Sequence, residues 1–285
     1  MLNVITTQPQ KLLRICVIGD LCLDRTIYVK NSTRANPENP DAPLFNVVDT
    51  HEHYGMGFNV YKALTELISP YLVTEHLKGK SVKTRIVDSE TDIQLFRLDQ
   101  DDKYYAHLTM YMDDKVQSSD IIVVSDYCKG AVDDELLENL VNLEIPIFID
   151  TKKVALQRFA RPWVTFKINQ TEFDRLVDWP SLGCQLMSGE TIVTHGDRGC
   201  TLFSRSLGRG YRHLGFKVNC VDVCGAGDMF LAAYVFATTI TSNVEEQLDI
   251  ANAYAAISVS KKGVHIPTLQ ELNTFLQEQY DKTRR

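Results

Sequence analysis

The run Asp222-Val223-Cys224-Gly225-Ala226-Gly227-Asp228 holds the residues best suited to chemistry. A Gly-Ala-Gly turn opening a helix leaves successive backbone N–H groups uncovered by side chains. With the helix dipole, those donors make an anion site. Asp228 falls in the first turn beside it. A carboxylate there can take a proton from a hydroxyl while the amides hold the charge that develops opposite. The plainer alternative is a glycine turn in which Asp228 is only an acidic group at a helix start.

Other candidates allow two uses. Asn169 and Glu172 have the spacing of a helix capping box, and the start of a helix after a strand is also where phosphates bind. His51 and His53 alternate onto one strand face. They lack a third ligand at supporting spacing and read as a polar face rather than a metal site. Cys220 and Cys224 bracket the strand end before the glycine turn and read as packing residues.

Parallel strands and helices must position these groups. Continuous apolar runs at Leu13–Gly19, Ile121–Ser125, Ile145–Asp150, Val164–Ile168 and Thr191–His195 predict buried parallel strands. Helix-forming segments follow, as at Asp133–Asn142 and Gln170–Val177. Alternation of this kind predicts a central, mainly parallel sheet with helices on both faces, a three-layer sandwich. Val218–Val223 reads as the end of a strand. Ala226–Thr239 is apolar all round and predicts a buried helix. Val244–Lys261 predicts the next, with Lys261 and Lys262 at its dipole-favoured end and Gly263 as C-cap. Two segments break the rhythm. Residues 26–54 carry β-rich pieces around a Pro-rich middle, and residues 82–98 alternate like a hairpin. Both are expected to project from one domain, residues 1–285, as a small β-sheet lid.

The chain has 285 residues, 44% hydrophobic and 24% charged, enough for a sizeable core. A net charge of -7 without a large basic block argues against a nucleic-acid partner. No apolar run reaches membrane-span length, and the first residues lack a secretory signal. Seven cysteines, an odd number without a CxxC pair, fit a reduced, cytoplasmic protein.

The glycine motif resembles the Asp-Thr-x-Gly-Ala-Gly-Asp signature of the PfkB, or ribokinase-like, carbohydrate kinases, with Val223 in place of Thr. Val there, together with further runs in the same order, is similar to the D-glycero-β-D-manno-heptose 7-phosphate kinase branch. Those runs are Gly19–Arg25, Ser32–Pro43, Lys83-Thr84-Arg85, Arg97-Leu98-Asp99, Ser125–Gly130, Ile149–Lys152 and Asn169–Glu172. The resemblance implies a ribokinase-like fold and transfer of a phosphoryl group from ATP, with Mg²⁺, to a sugar hydroxyl. The implied acceptor is the anomeric hydroxyl of D-glycero-D-manno-heptose 7-phosphate. Asp228 would be the base, and Gly225, Ala226 and Gly227 the anion hole. Asp24 and Asn59 would hold sugar hydroxyls, and Arg85, Arg97 and Lys129 would hold the substrate phosphate, with Lys83 beside them. Asn169 and Glu172 would place magnesium, partly through water. Thr194 and Gly196 are assigned with them to the nucleotide.

The resemblance also implies a homodimer through the lids. A later activation step is expected on another protein, because the sequence lacks the nucleotidyltransferase domain that some heptose kinases carry. Alternatives are a fructose, ribose or nucleoside kinase, and a non-catalytic binding protein that kept the fold. Two departures motivate the last. Gly55-Met56-Gly57 replaces the family's Gly-Gly, so either Met56 takes the backbone that the second Gly allowed or the loop differs. Residues 68–80 are expected to lack one βα unit.

Overall fold

The computed structural model describes residues 13–32, 34, 36–101, 113–176, 189–204 and 210–283. Cys184 and Val177 lie outside them. The strands are β1 (Ile15–Asn31), β2 (Phe45–Met56), β3 (Val73–Asp88), β4 (Gln94–Gln100), β5 (Ile121–Asp126), β6 (Ile147–Thr151), β7 (Val164–Asn169), β8 (Glu190–Thr194), β9 (Cys200–Ser204) and β10 (Gly210–His213). They form one sheet, ordered β10-β9-β8-β7-β6-β5-β1-β3-β4, with β2 also paired to β1. Pairs from β3 through β1 and β5 to β8 are parallel. The β8–β9, β9–β10, β1–β2 and β3–β4 pairs are antiparallel. Strands buried on both faces read as unbroken apolar runs, which is why β5 (IIVVSD) is wholly buried.

Helices cover both faces. One face carries α1 (Gly57–Leu67), α5 (Ala226–Ile240), α6 (Val244–Val259) and α7 (Leu269–Thr283), through Val60, Leu64, Met229, Tyr234, Leu248 and Leu272. The other carries the short α2 (Asp114–Gln117) and α3 (Asp134–Val141), through Val116, Leu136, Leu137 and Leu140. The remaining helix, α4 (Gln170–Phe173), follows β7. Helix α5 buries every residue from Asp228 to Ala237, as an apolar sequence with no polar face requires.

The two segments that broke the βα rhythm project beyond the core. β1 pairs with β5 only over Ile15–Gly19, then with β2 from Leu21 to Asn31. β3 follows β1 along its length and turns back into β4. The extension is thus the outer halves of β1 and β3 flanked by β2 and β4, not a separate sheet. β3 begins at Val73, and residues 68–72 are its only link from α1, so one long strand stands where a βα unit was expected to be trimmed.

Four expectations need correction. Val218–Val223 is irregular. Val221 and Asp222 donate to Val259 O, and Asp222 accepts from Cys224 N and Gly263 N, so its hydrogen bonds run to turns, not to a ladder. α4 is shorter than predicted and stops at Phe173. α6 is capped by Ser260, while Gly263, at φ 72, turns the chain beyond it and Lys262 pairs with Asp92 at the β3–β4 turn. Cys220 is exposed rather than packed, and Cys224 is half-buried.

Candidate active site

The site forms at the carboxyl edge of the parallel strands, the usual ligand crevice of such sheets. Asp228 lies in the first turn of α5, 2% exposed. Gly225 precedes it at φ 75, a left-handed turn that opens α5. The Ala226 N–H closes that turn on Val223 O at 3.3 Å, while those of Gly227 and Asp228 fall in the first turn, where a helix offers no intrahelical partner. Gly227 must lack a side chain, because a Cβ there would stand 2.7 Å from Lys167 Nζ. The anion site therefore has an ammonium group against its wall. Lys167 is buried in β7 and bonded to Asp150 Oδ2 at 2.6 Å. Burial opposes its charge, but the Asp150 carboxylate outweighs that and raises Lys167 above the ordinary lysine value.

Both carboxylate oxygens of Asp228 accept from distant segments. Asn59 Nδ2 donates to Oδ2 at 2.8 Å and Tyr127 OH donates to Oδ1 at 2.8 Å. Burial, helped by the charge of Asp150, pushes Asp228 up to about 6, against the pull of Asn59, Tyr127 and Lys167. A carboxylate near neutrality is suited to general-base work.

Asp24 lies beside this group. Gly55 packs against its carboxylate, and Arg85 Nη1 donates to its Oδ1 at 3.1 Å. Met56 takes φ 58 and ψ -127, a glycine-like conformation, with its side chain buried. On the nucleotide-expected side, Asn169 caps α4. Its side chain accepts from Glu172 N and its own N–H donates to Glu172 Oε2. Glu172 Oε1 accepts from Lys152 Nζ at 2.8 Å, and that ammonium sits 4.9 Å from the ring centre of Tyr127. The two expected motifs are thus linked through Lys152 and Tyr127.

Other expected residues border this cluster, Arg97 opposite Arg85 across β3–β4 and Thr194 opposite Asn169 across β7–β8, with their side chains bonded elsewhere. Arg97 stands opposite Arg85 across the β3–β4 ladder but binds Asp99 through two nitrogens. Lys129 binds Asp101, and its backbone N–H donates to Asp20. Thr194 ends β8 with its hydroxyl on Ile168 O, and Gly196 opens the turn after it at φ 65. His51 binds Asp49. Sequence reasoning assigned no role to Tyr127, Asp150, Lys152 or Lys167. A lysine inside the apolar run VTFKIN was the one signal for Lys167. Buried lysines require a partner and a reason.

Magnesium fits this donor set only through water. Both Glu172 oxygens are engaged, and among the described residues no group of three His, Cys, Asp or Glu could hold a metal ion. Mg²⁺ commonly keeps several waters and relies on substrate phosphates.

A sheet of this order, with an anion turn and a buried carboxylate at its carboxyl edge, is the ribokinase-like fold. The chain superposes on phosphofructokinase-2 from Escherichia coli with a TM-score of 0.72 at 15% identity, covering 96% of this chain and 100% of that one. For ribokinase from Thermotoga maritima the TM-score is 0.66 at 18% identity, covering 93% and 99%. Residues 66–271 match the pfkB family carbohydrate kinase model, so the chain belongs to that family, as an ATP-dependent carbohydrate kinase by class. It is also similar to the bifunctional protein HldE of Helicobacter pylori, 26% identical over 94% of this chain and 67% of that protein. The chain spans about two thirds of the length of the bifunctional relatives it matches. No helix among the described residues is long and apolar enough to cross a membrane.

Proposed function

We propose that this protein transfers the γ-phosphoryl group of ATP to the anomeric hydroxyl of a sugar that already carries a phosphate, with D-glycero-D-manno-heptose 7-phosphate as the preferred acceptor. The observation that carries the reading is the placement of Arg85 against Asp24, one side chain from the Asp228 group. It sets a guanidinium beside the carboxylate that would hold the sugar. Guanidinium groups bind phosphate through two parallel bonds. The likeness to bifunctional HldE proteins supports the same acceptor.

The residues divide the work as follows. Asp24 accepts from sugar hydroxyls, and Asp228 takes the proton of the attacking one. The first N–H groups of α5, with Lys167 behind Gly227, stabilise the charge on the transferred group. Asn169, Glu172 and Lys152 would hold the water shell of a magnesium–nucleotide complex. When bound, the ion supplies neutralisation between the phosphates. The projecting sheet acts as a lid, excluding water that would waste ATP. Two ion pairs, Lys129–Asp101 and Lys262–Asp92, hold β4 and the β3–β4 turn down at either end.

A second reading has one observation in its favour. Arg97 is already paired with Asp99 through two nitrogens, as suits an unphosphorylated sugar such as ribose or fructose. An ATP-consumption assay over plain sugars and sugar phosphates, with the parent, Arg85→Ala and Arg97→Ala, separates the two. The heptose reading expects a sugar phosphate as the best acceptor. It expects the KM for that acceptor to rise about 10- to 150-fold in at least one variant, with little change for a plain sugar. A parent that prefers plain sugars, or variants that do not discriminate, would leave only a general sugar kinase.

A further inference from the structure

Tyr127 is held by more contacts than packing needs. Its N–H donates to Asp20 Oδ2 at 2.7 Å, and the fully buried Asp20 also accepts from Lys129 N and Ala131 N. The next residue, Cys128, takes φ 57 and donates its N–H to Asp126 Oδ1. Two buried carboxylates therefore fix the loop after β5. The ring lies under two ammonium groups, with Lys152 at 4.9 Å and Lys83 at 5.9 Å from its centre. The hydroxyl reaches Asp228 across 101 residues of sequence. A phenylalanine would fill the same space, so the hydroxyl answers to Asp228 and not to the core.

We propose that Tyr127 is the positioning residue of Asp228, holding its carboxylate ionised and aimed at the acceptor while its ring links that carboxylate to the lysines on the nucleotide side. The kinetic part of this rests on the kinase reading above, whereas the effect on ionisation does not. A hydrogen bond to the charged form of an acid favours that form. Burial and the Asp228 charge push the Tyr127 phenol well above its ordinary value, so it stays a donor while Asp228 titrates. The charged groups acting on Asp228 are Asp150 from β6 and Lys167 from β7, with Asp24 of β1 beyond Asn59 and Lys152 and Glu172 beyond the Tyr127 ring. Of these, Lys167 also favours the ionised form and Asp150 opposes it. Asn59 and Tyr127 give Asp228 its direct hydrogen bonds from other segments. An ionised carboxylate offers about four lone-pair positions, so a sugar hydroxyl can bind without displacing either donor.

The test is a titration of the ligand-free protein labelled with carboxyl-¹³C aspartate, followed by NMR, with the Asp228 signal assigned by its loss in Asp228→Asn. Tyr127→Phe should raise the Asp228 midpoint by about half a pH unit or more. Tyr127→Leu, which also lacks the hydroxyl, should move it the same way and covers a failure of the first variant to fold. In the kinase assay the acid limb of the kcat profile should shift upward by the same amount, and much of the turnover should return at alkaline pH. An unmoved midpoint overturns the proposal. So does a moved midpoint with an unmoved acid limb in an active parent, because another group would then be the base. A parent without kinase turnover would sink the functional reading while the NMR arm still decides the role of Tyr127.

Discussion

Asp24 and Gly55 meet so closely that a Cβ on Gly55 would stand 2.2 Å from Asp24 Oδ2. The contact joins the neighbouring strands β1 and β2 at the carboxylate proposed to hold the sugar. Gly55→Ala should therefore displace Asp24 and act first on acceptor binding. Overpacking of this kind costs about 1–3 kcal/mol of stability. The expected kinetic result is a KM for the sugar raised about tenfold or more, with the KM for ATP little changed. Initial-rate kinetics with each substrate varied in turn, and a melting curve, check both parts.

Met56 gives a prediction with an unusual order. It is buried yet holds φ 58, a conformation that costs a side-chain-bearing residue of order 1–3 kcal/mol. Met56→Ala loses the packing and keeps the strain. Met56→Gly loses the same packing and releases the strain. The glycine variant should be the more stable of the two by about 1 kcal/mol. Denaturant unfolding of both variants is the measurement, and the reverse order would show that the backbone there is unstrained.

Asn169 and Glu172 form a helix cap and are also proposed to organise magnesium, and one pair of measurements separates the two roles. The capping box is formed in full, and Glu172 also binds Lys152. Glu172→Gln keeps an oxygen for the Asn169 N–H and removes the charge. If the charge organises a hydrated magnesium ion, the Mg²⁺ concentration for half-maximal rate should rise while stability changes little. If the cap is the whole role, Asn169→Ala should lose about 0.5–2 kcal/mol and Glu172→Gln should leave the Mg²⁺ titration unchanged.

The sequence made legible whatever depends on local pattern. The parallel strands followed from unbroken apolar runs, and α5 from its all-apolar composition after a glycine turn. The capping box and the β3–β4 hairpin had spacing signatures. Contacts between distant segments had none. Tyr127 and Asn59 reach Asp228 across 101 and 169 residues. Lys167 and Asp150 meet between neighbouring strands, where each alone looks like an irregularity in an apolar run. Val218–Val223 was expected to end a strand, whereas Asp222 ties the segment into turns instead. Lys129 looked free to meet a substrate until its partner Asp101 was placed.

The last prediction concerns stability, because the features that suit Asp228 to be a base also strain the fold. Its carboxyl is raised from 3.8 to about 6, chiefly by burial. The folded protein then holds that proton more tightly than the unfolded chain does. Between the two values the folded state binds more protons than the unfolded one, so stability contributed by this group falls as pH rises from about 4 to 6. Above that window the ionised, buried carboxylate costs roughly 3 kcal/mol. Asp228→Asn removes the ionisation cost but turns one amide donor toward Asn59 or Tyr127, both of which donate now. That mismatch costs about 1–3 kcal/mol at every pH. Relative to the parent, the variant should thus gain about 2–3 kcal/mol on going from pH 4 to pH 8. At pH 8, where the parent carboxylate is ionised, it should lose about 10²-fold or more in turnover. Denaturant unfolding at both pH values, beside kinase assays at the higher one, tests the pair. A stability difference that does not change with pH would mean that Asp228 titrates at its ordinary value and is not held poised as a base.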